Sequence, residues 1–221
     1  MTYPLLTDSE YAKLTENAKL VKRTRTKIRL LLSQDNNIIK HIYKRKLLSS
    51  STIWPYITRF IKNAKYLKSK NISVPNVHAA YFYPTLNCYI LIYDYVEQPT
   101  LHNIAKNDDF SFFPKLAKFI TELHAMGVFF KDIHLDNIIM NDNEFTLLDL
   151  ESLQYQRRPL TLRQRARNLA HLFNRKEDIL FYQKFGWSNF LDHYFDAIYS
   201  TPKYQTKLKA LISPKLPPEL V

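Results

Sequence analysis

Two short runs rich in β-forming residues, 27–32 and 37–43, flank the turn cluster Ser33-Gln34-Asp35-Asn36, which predicts a β-hairpin. Ser50, Ser51 and Thr52 then precede Trp54-Pro55, a helix-start signature. Apolar residues follow at Ile57, Ile61, Ala64 and Leu67, one face of a 3.6-residue period, so a helix is expected over 54–68. The runs 77–83 and 88–96 read as two more strands around Pro84-Thr85-Leu86-Asn87. The first part of the chain is thus expected to be strand-rich with one helix. Beyond Val96 the pattern changes. Pro114 opens a helix carrying Leu116, Phe119, Ile120 and Leu123 on one face, and Gly127 stands where the residue just past a helix end belongs. The apolar runs 137–140 and 145–150, joined by Asn141-Asp142-Asn143-Glu144, predict a second hairpin. From Leu160 onward the periodicity is helical, ending in a tail with Pro214, Pro217 and Pro218. The expected class is α+β: a small β-rich lobe over 1–96 and a mainly helical lobe over 97–221, with Glu97-Gln98-Pro99 as the hinge.

Composition narrows this picture mainly by exclusion. With 221 residues and 46% hydrophobic positions the chain can bury a core, so global disorder is ruled out. Cys88 is the lone cysteine, so there is no disulfide framework. Gly127 and Gly186 are the two glycines, which rules out a Walker A loop and a dinucleotide-binding fingerprint. No run approaches the ~18–20 apolar residues of a membrane span, and the start lacks a cationic segment followed by an apolar one. A cytoplasmic protein is expected, peripheral on a membrane at most.

The formal charge of +12 is unevenly placed. The first 80 residues hold sixteen Lys/Arg against four acids, whereas the remainder balances at sixteen of each. No acid occurs between Asp35 and Asp94. Such asymmetry points to an anionic partner. No groove-reading motif accompanies it, so nucleic acid is not expected.

Chemistry concentrates in one loop. In Lys131-Asp132-Ile133-His134-Leu135-Asp136-Asn137 an Asp is followed five residues later by an Asn, the spacing of a phosphotransfer catalytic loop. The loop follows a helix ending near Gly127 and precedes a hairpin that ends in Leu148-Asp149-Leu150-Glu151. Phosphoryl transfer demands positioning and charge neutralisation. Asp132 suits the acceptance of a hydroxyl proton. Asn137 and Asp149 offer hard oxygens to Mg²⁺, which takes one or two carboxylates plus nucleotide phosphates. Lys40, flanked by apolar residues in a strand, would be costly to bury without an anion such as the phosphates of ATP.

Structural alternatives stand beside each assignment. Asp132 and Asn137 could cap turns, and Asp149 could cap the segment after it. Lys40 could be an edge-strand lysine that discourages aggregation, and Lys44 and Lys46 compete for its role. His134 fits a loop histidine or a phosphate contact. The aromatic stretch 181–195 reads as core rather than as a stacking platform for bases.

These residues resemble the lipopolysaccharide kinase (Kdo/WaaP) family, bacterial enzymes of protein-kinase-like fold that phosphorylate inner-core sugars. The loop from Lys131 to Asn137 looks like that family's R-D-L-H-x-x-N, and Leu148-Asp149-Leu150-Glu151 is similar to its I-D-L-D. Residues 157–170, with Arg157, Arg158, Arg163, Arg165 and Arg167, resemble a further family segment, and Ile39-Lys40-His41-Ile42-Tyr43 and Val74-Pro75 also fit. The resemblance covers about 27–175. It implies a two-lobed kinase-like fold, with Asp132 as catalytic residue, Lys40 on ATP, and Asn137 and Asp149 on Mg²⁺. It further implies an anionic core glycolipid as substrate, phosphorylated on Kdo or heptose at the inner face of the bacterial inner membrane. Two features differ from kinases at large: the 54–68 helix has no acid to pair with Lys40, and no glycine lies before Lys40. The alternatives are a non-catalytic pseudokinase or scaffold on an anionic membrane, and a kinase acting on a protein Ser, Thr or Tyr. Nothing in the sequence bears on oligomeric state.

Overall fold

Asn37–Tyr43 lies at the middle of a five-stranded antiparallel sheet, and its alternation explains the layers on either side. The computed structural model describes residues 2–44, 55–142 and 144–220. The chain divides into two compact units, Met1–Glu97 and Gln98–Val221. The architecture is α+β.

The first unit runs α1 (Asp8–Thr15), β1 (Lys19–Arg23), β2 (Ile28–Leu32), β3 (Asn37–Tyr43), α2 (Tyr56–Lys68), β4 (Val77–Tyr83) and β5 (Cys88–Asp94), with sheet order β1-β2-β3-β5-β4. Asn36 and Asn87 adopt positive φ in the turns before β3 and β5, a conformation Asn tolerates better than most residues. Ile39 faces a cluster containing Leu31, Cys88, Ile90 and Ile92, against which Tyr11 and Leu14 of α1 pack. By the two-residue period of a strand, Ile38, Lys40 and Ile42 face the opposite side. There Phe60 of α2 packs on Tyr93, with ring centroids 5.2 Å apart.

α1 and β1 lie outside the expected elements, so the unit holds two described helices rather than one. A local signal exists for α1. Thr7 caps Glu10 N–H while the Glu10 carboxylate accepts from Thr7 N–H, a capping box written as T-x-x-E. α2 begins at Tyr56, and the Ser50-Ser51-Thr52 start signature lies outside the described residues. The segment before α1 covers the free edge of β4, because Phe82 N–H donates to Pro4 O and Leu6 N–H to Phe82 O, both at 2.9 Å. The opposite edge, β1, is exposed throughout and carries Lys19, Lys22 and Arg23 beside Leu20 and Val21.

The second unit runs α3 (Leu101–Lys106), α4 (Phe113–Ala125), β6 (Val128–Phe130), β7 (Ile138–Asn141), β8 (Glu144–Leu147), β9 (Leu153–Tyr155), α5 (Leu162–Phe173), α6 (Ile179–Phe185), α7 (Trp187–Asp196) and α8 (Pro202–Ile212). Its strands form two short antiparallel ladders, β6–β9 and β7–β8. Phe113, Phe173, Tyr182 and Phe190 interlock as a buried ring cluster, so the aromatic stretch that includes 181–195 is core. No described helix is long and apolar enough to cross a membrane.

Candidate functional site

The loop 131–137 is held at both ends by the short ladders. Gly127 follows α4 with φ +77°, and an added Cβ would lie 2.3 Å from Gln156 O. Glycine is therefore required where α4 turns into β6. β6 pairs with β9 through Phe130↔Leu153. Immediately beyond, Asp132 N–H donates to Ser152 Oγ at 3.1 Å. The Asp132 carboxylate stays 57% exposed, with Oδ1 3.8 Å from His134 Nε2.

A 3-10 turn, Leu135–Asn137, leads into β7. Buried Asn137 donates through Nδ2 to the carbonyl of Asp132 at 2.8 Å, closing the loop on itself. The turn-forming alternative for Asn137 is thus realised through its nitrogen, while no described residue donates to its Oδ1. The carbonyl of Asn137 accepts from Leu148 N–H at 2.9 Å, one step past the Ile138↔Leu147 pair. Asp149 therefore follows directly at the open end of the β7–β8 hairpin. It adopts φ 50° and ψ 48°, and its side chain makes no cap to the turn Leu150–Ser152, so the capping alternative does not hold for it. Asp132, Asn137 and Asp149 are brought together by this backbone.

Beneath the loop runs a hydrogen-bond chain whose polarity follows from its ends. Asn168 of α5 donates through Nδ2 to Phe130 O at 2.7 Å, so its Oδ1 accepts from His124 Nε2–H at 3.0 Å. His124 Nδ1 then accepts from the Tyr194 hydroxyl at 2.8 Å, and that oxygen accepts from Arg165 Nη1–H at 3.0 Å. Burial pushes the His124 imidazole down to about 3, so it stays neutral as this chain requires.

A second clamp comes from Asp178, which is almost fully buried. Its Oδ2 accepts from Leu135 N–H at 3.0 Å, and its Oδ1 from His102 Nδ1–H at 2.6 Å. Burial raises the Asp178 pKa against these hydrogen bonds, which favour the carboxylate. His134 is also buried. Burial and then Arg175 lower its pKa, with Asp132, Asp178 and Asp136 acting the other way. The sequence reading missed Asn168, His124, Asp178, His102 and Ser152. The available signal was a polar residue on an apolar helix face, as at His124 in α4 and Asn168 in α5.

Lys40 belongs to the first unit and the other three residues to the second. It is 9% exposed in β3, opposite Leu30 on one side and Leu91 on the other. Because β3 lies inside the sheet, the edge-strand alternative is overturned. Its ammonium sits 5.5 Å from the Phe60 ring centroid. α2 contains no acid, and Asn63 is the polar member of its buried face. Lys44 is exposed, its ammonium over the Phe82 ring at 4.7 Å, and Lys46 lies outside the described residues.

Comparison with protein-family models and with curated proteins finds no match to this chain. Its chemistry must be argued from its own side chains. Among the described residues no three His, Cys, Asp or Glu side chains gather as a metal cluster. Asn137 and Asp149 at one hairpin end nevertheless suit Mg²⁺, which keeps waters and takes few protein oxygens when phosphates complete its shell.

Proposed function

We propose that this protein is an ATP- and Mg²⁺-dependent kinase of two-lobed, protein-kinase-like fold that phosphorylates a hydroxyl of a lipopolysaccharide inner-core sugar, Kdo or heptose. The observation that carries this reading is the joining of Asp132, Asn137 and Asp149 by the Asn137–Asp132 and Leu148–Asn137 hydrogen bonds. Mg²⁺ and ATP, when bound, supply the phosphoryl group and neutralise its charge. Asn137 Oδ1 and the Asp149 carboxylate would hold the metal, and Lys40 would meet the nucleotide phosphates. Exposed Asp132 takes the proton of the acceptor hydroxyl as its oxygen bonds to the γ-phosphorus and the bond to the ADP oxygen breaks. The basic first unit, with Lys19, Lys22 and Arg23 on the open β1 edge, would meet the anionic inner face of the bacterial inner membrane.

A second reading is a non-catalytic scaffold, favoured by an α2 without acid and a first unit without glycine. The two are separated by thermal shift with ATP, with and without Mg²⁺, and by phosphate transfer to purified core oligosaccharide. The kinase reading expects metal-dependent stabilisation, and transfer that Asp132→Asn lowers by about 10²–10⁴. Absence of both would establish the scaffold, and transfer to a protein acceptor in place of the oligosaccharide would make it a protein kinase.

A further inference from the structure

The two edges of the five-stranded sheet differ. At β4 the chain covers its own edge, with Leu6 N–H on Phe82 O and Phe82 N–H on Pro4 O. At β1 the edge is open. β1 pairs with β2 on one side, and no described residue makes a main-chain hydrogen bond to its other side. All five residues of β1 are exposed. Such an edge presents a row of N–H and C=O groups to any extended chain that can approach it.

Register fixes what that chain would meet. Leu20 pairs with Leu31, which pairs with Ile39, so Leu20 continues the row of the buried cluster that holds those two residues. It is 50% exposed, an apolar side chain at the end of a core row with no strand beyond it. Lys19 pairs with Leu32 and Lys22 with Leu30, on the opposite face. Val21 has no partner in the register, and this bulge leaves Lys19 and Lys22 on one side although three positions separate them. Lys19, Lys22 and Arg23 form no ion pair with a described residue. No acid lies between Glu16 and Asp35.

We propose that the open side of β1 is a docking site for an extended acidic segment of another protein, which adds a strand to the sheet. Main-chain hydrogen bonds supply the affinity. An apolar residue beside Leu20 and carboxylates beside Lys19 and Lys22 supply the selectivity. Charge decides against the other occupants. A second copy of this chain would set Lys19, Lys22 and Arg23 against the same cations, and lysines on an edge disfavour pairing of like with like. An anionic bilayer answers the charges but offers the main chain no ladder of donors and acceptors. Every residue involved belongs to the first unit, so the docking site stands whether or not the second unit transfers phosphate.

The test is fluorescence anisotropy of end-blocked octapeptides on the full chain, with hydrogen exchange read on the complex. One peptide alternates Glu and Val, a second Lys and Val, a third Glu and Pro. Alternation places the carboxylates of the Glu-Val peptide on one face and its valines on the other. It should bind at least about tenfold more tightly than the Glu-Pro peptide, which carries the same charge but lacks half the amide donors. Amide protection should appear at 19–23 and not along β4. Lys19→Glu with Lys22→Glu, both at exposed positions, should leave the thermal midpoint unchanged. The pair should weaken the Glu-Val peptide by about tenfold or more and admit the Lys-Val peptide in its place. Equal binding of the Glu-Val and Glu-Pro peptides would overturn the proposal, as would protection elsewhere or an unchanged double variant. Binding to phosphatidylglycerol vesicles but not to the Glu-Val peptide would overturn it in favour of a membrane. A dimer that protects 19–23 and binds no peptide would overturn it in favour of a second copy.

Discussion

Asn137 donates its side-chain N–H to the main-chain carbonyl of Asp132 at 2.8 Å, so the amide that closes the loop is also the one whose oxygen is proposed for Mg²⁺. The two functions are separable by substitution. Asn137→Asp keeps a hard oxygen but sets it against the Asp132 carbonyl, and Asn137→Ala removes both.

Asn137→Ala should cost about 1–3 kcal/mol of stability, the cost of a buried acceptor left without its donor. Asn137→Asp should destabilise comparably yet retain Mg²⁺-dependent nucleotide binding, which Asn137→Ala loses. Urea denaturation and thermal shift with Mg²⁺ and ATP measure the two effects.

Asp132→Asn should leave the thermal midpoint nearly unchanged, because the carboxylate is largely exposed and its backbone N–H, not its side chain, bonds Ser152. Phosphate transfer should fall by about 10²–10⁴, the usual contribution of a positioned base. A rate assay on purified core oligosaccharide reads this.

Asn168→Leu should be among the most destabilising changes in the second unit. It strips the donor from Phe130 O and the acceptor from His124 Nε2, both buried, for roughly 2–5 kcal/mol. Asn168→Asp keeps the acceptor but faces a carbonyl with a carboxylate, so it should rescue little. Chemical denaturation of both variants checks this.

Stability should fall on acidification below about pH 6.5. His124 binds a proton near pH 6.5 when unfolded but only near pH 3 when folded, so between those values the unfolded state holds more protons. Stability therefore rises with pH through that window and is level above it. His41, pushed down to about 4 by burial in β3, adds to the slope. His124→Gln, which can keep both hydrogen bonds, should show a shallower decline from pH 6.5 to pH 4 in denaturation midpoints.

Gly127→Ala should destabilise by several kcal/mol, since the new methyl would meet Gln156 O at 2.3 Å and Arg158 O at 2.5 Å with φ at +77°. Thermal unfolding measures it, and loss of transfer should accompany it because Gly127 opens the path to Asp132.

The elements that carry their own signal were legible. The hairpin β2–β3 follows from alternation around Ser33-Gln34-Asp35-Asn36, and α4 from its apolar period between Pro114 and Gly127. The Asp132–Asn137 spacing was legible because both residues lie in one loop, where five positions fix the distance. β1 was not, since every one of its residues is exposed and its place depends on pairing with β2. The three-residue strands β6 and β9 are too short for a period to register.

By itself the sequence determined the local pieces: the amphipathic helices, the turns where Asn36 and Asn87 take positive φ, the spacing of the loop and the charge excess in the first 80 residues. Only the tertiary structure decided what each buried polar group meets. His102 and Asp178 are 76 positions apart, His124 and Tyr194 70, and Leu135 and Asp178 43. No pattern along the chain encodes those pairings. They form because a polar group carried into the core must find a partner there, and the packing of α3, α4, α5 and α7 determines which one it finds.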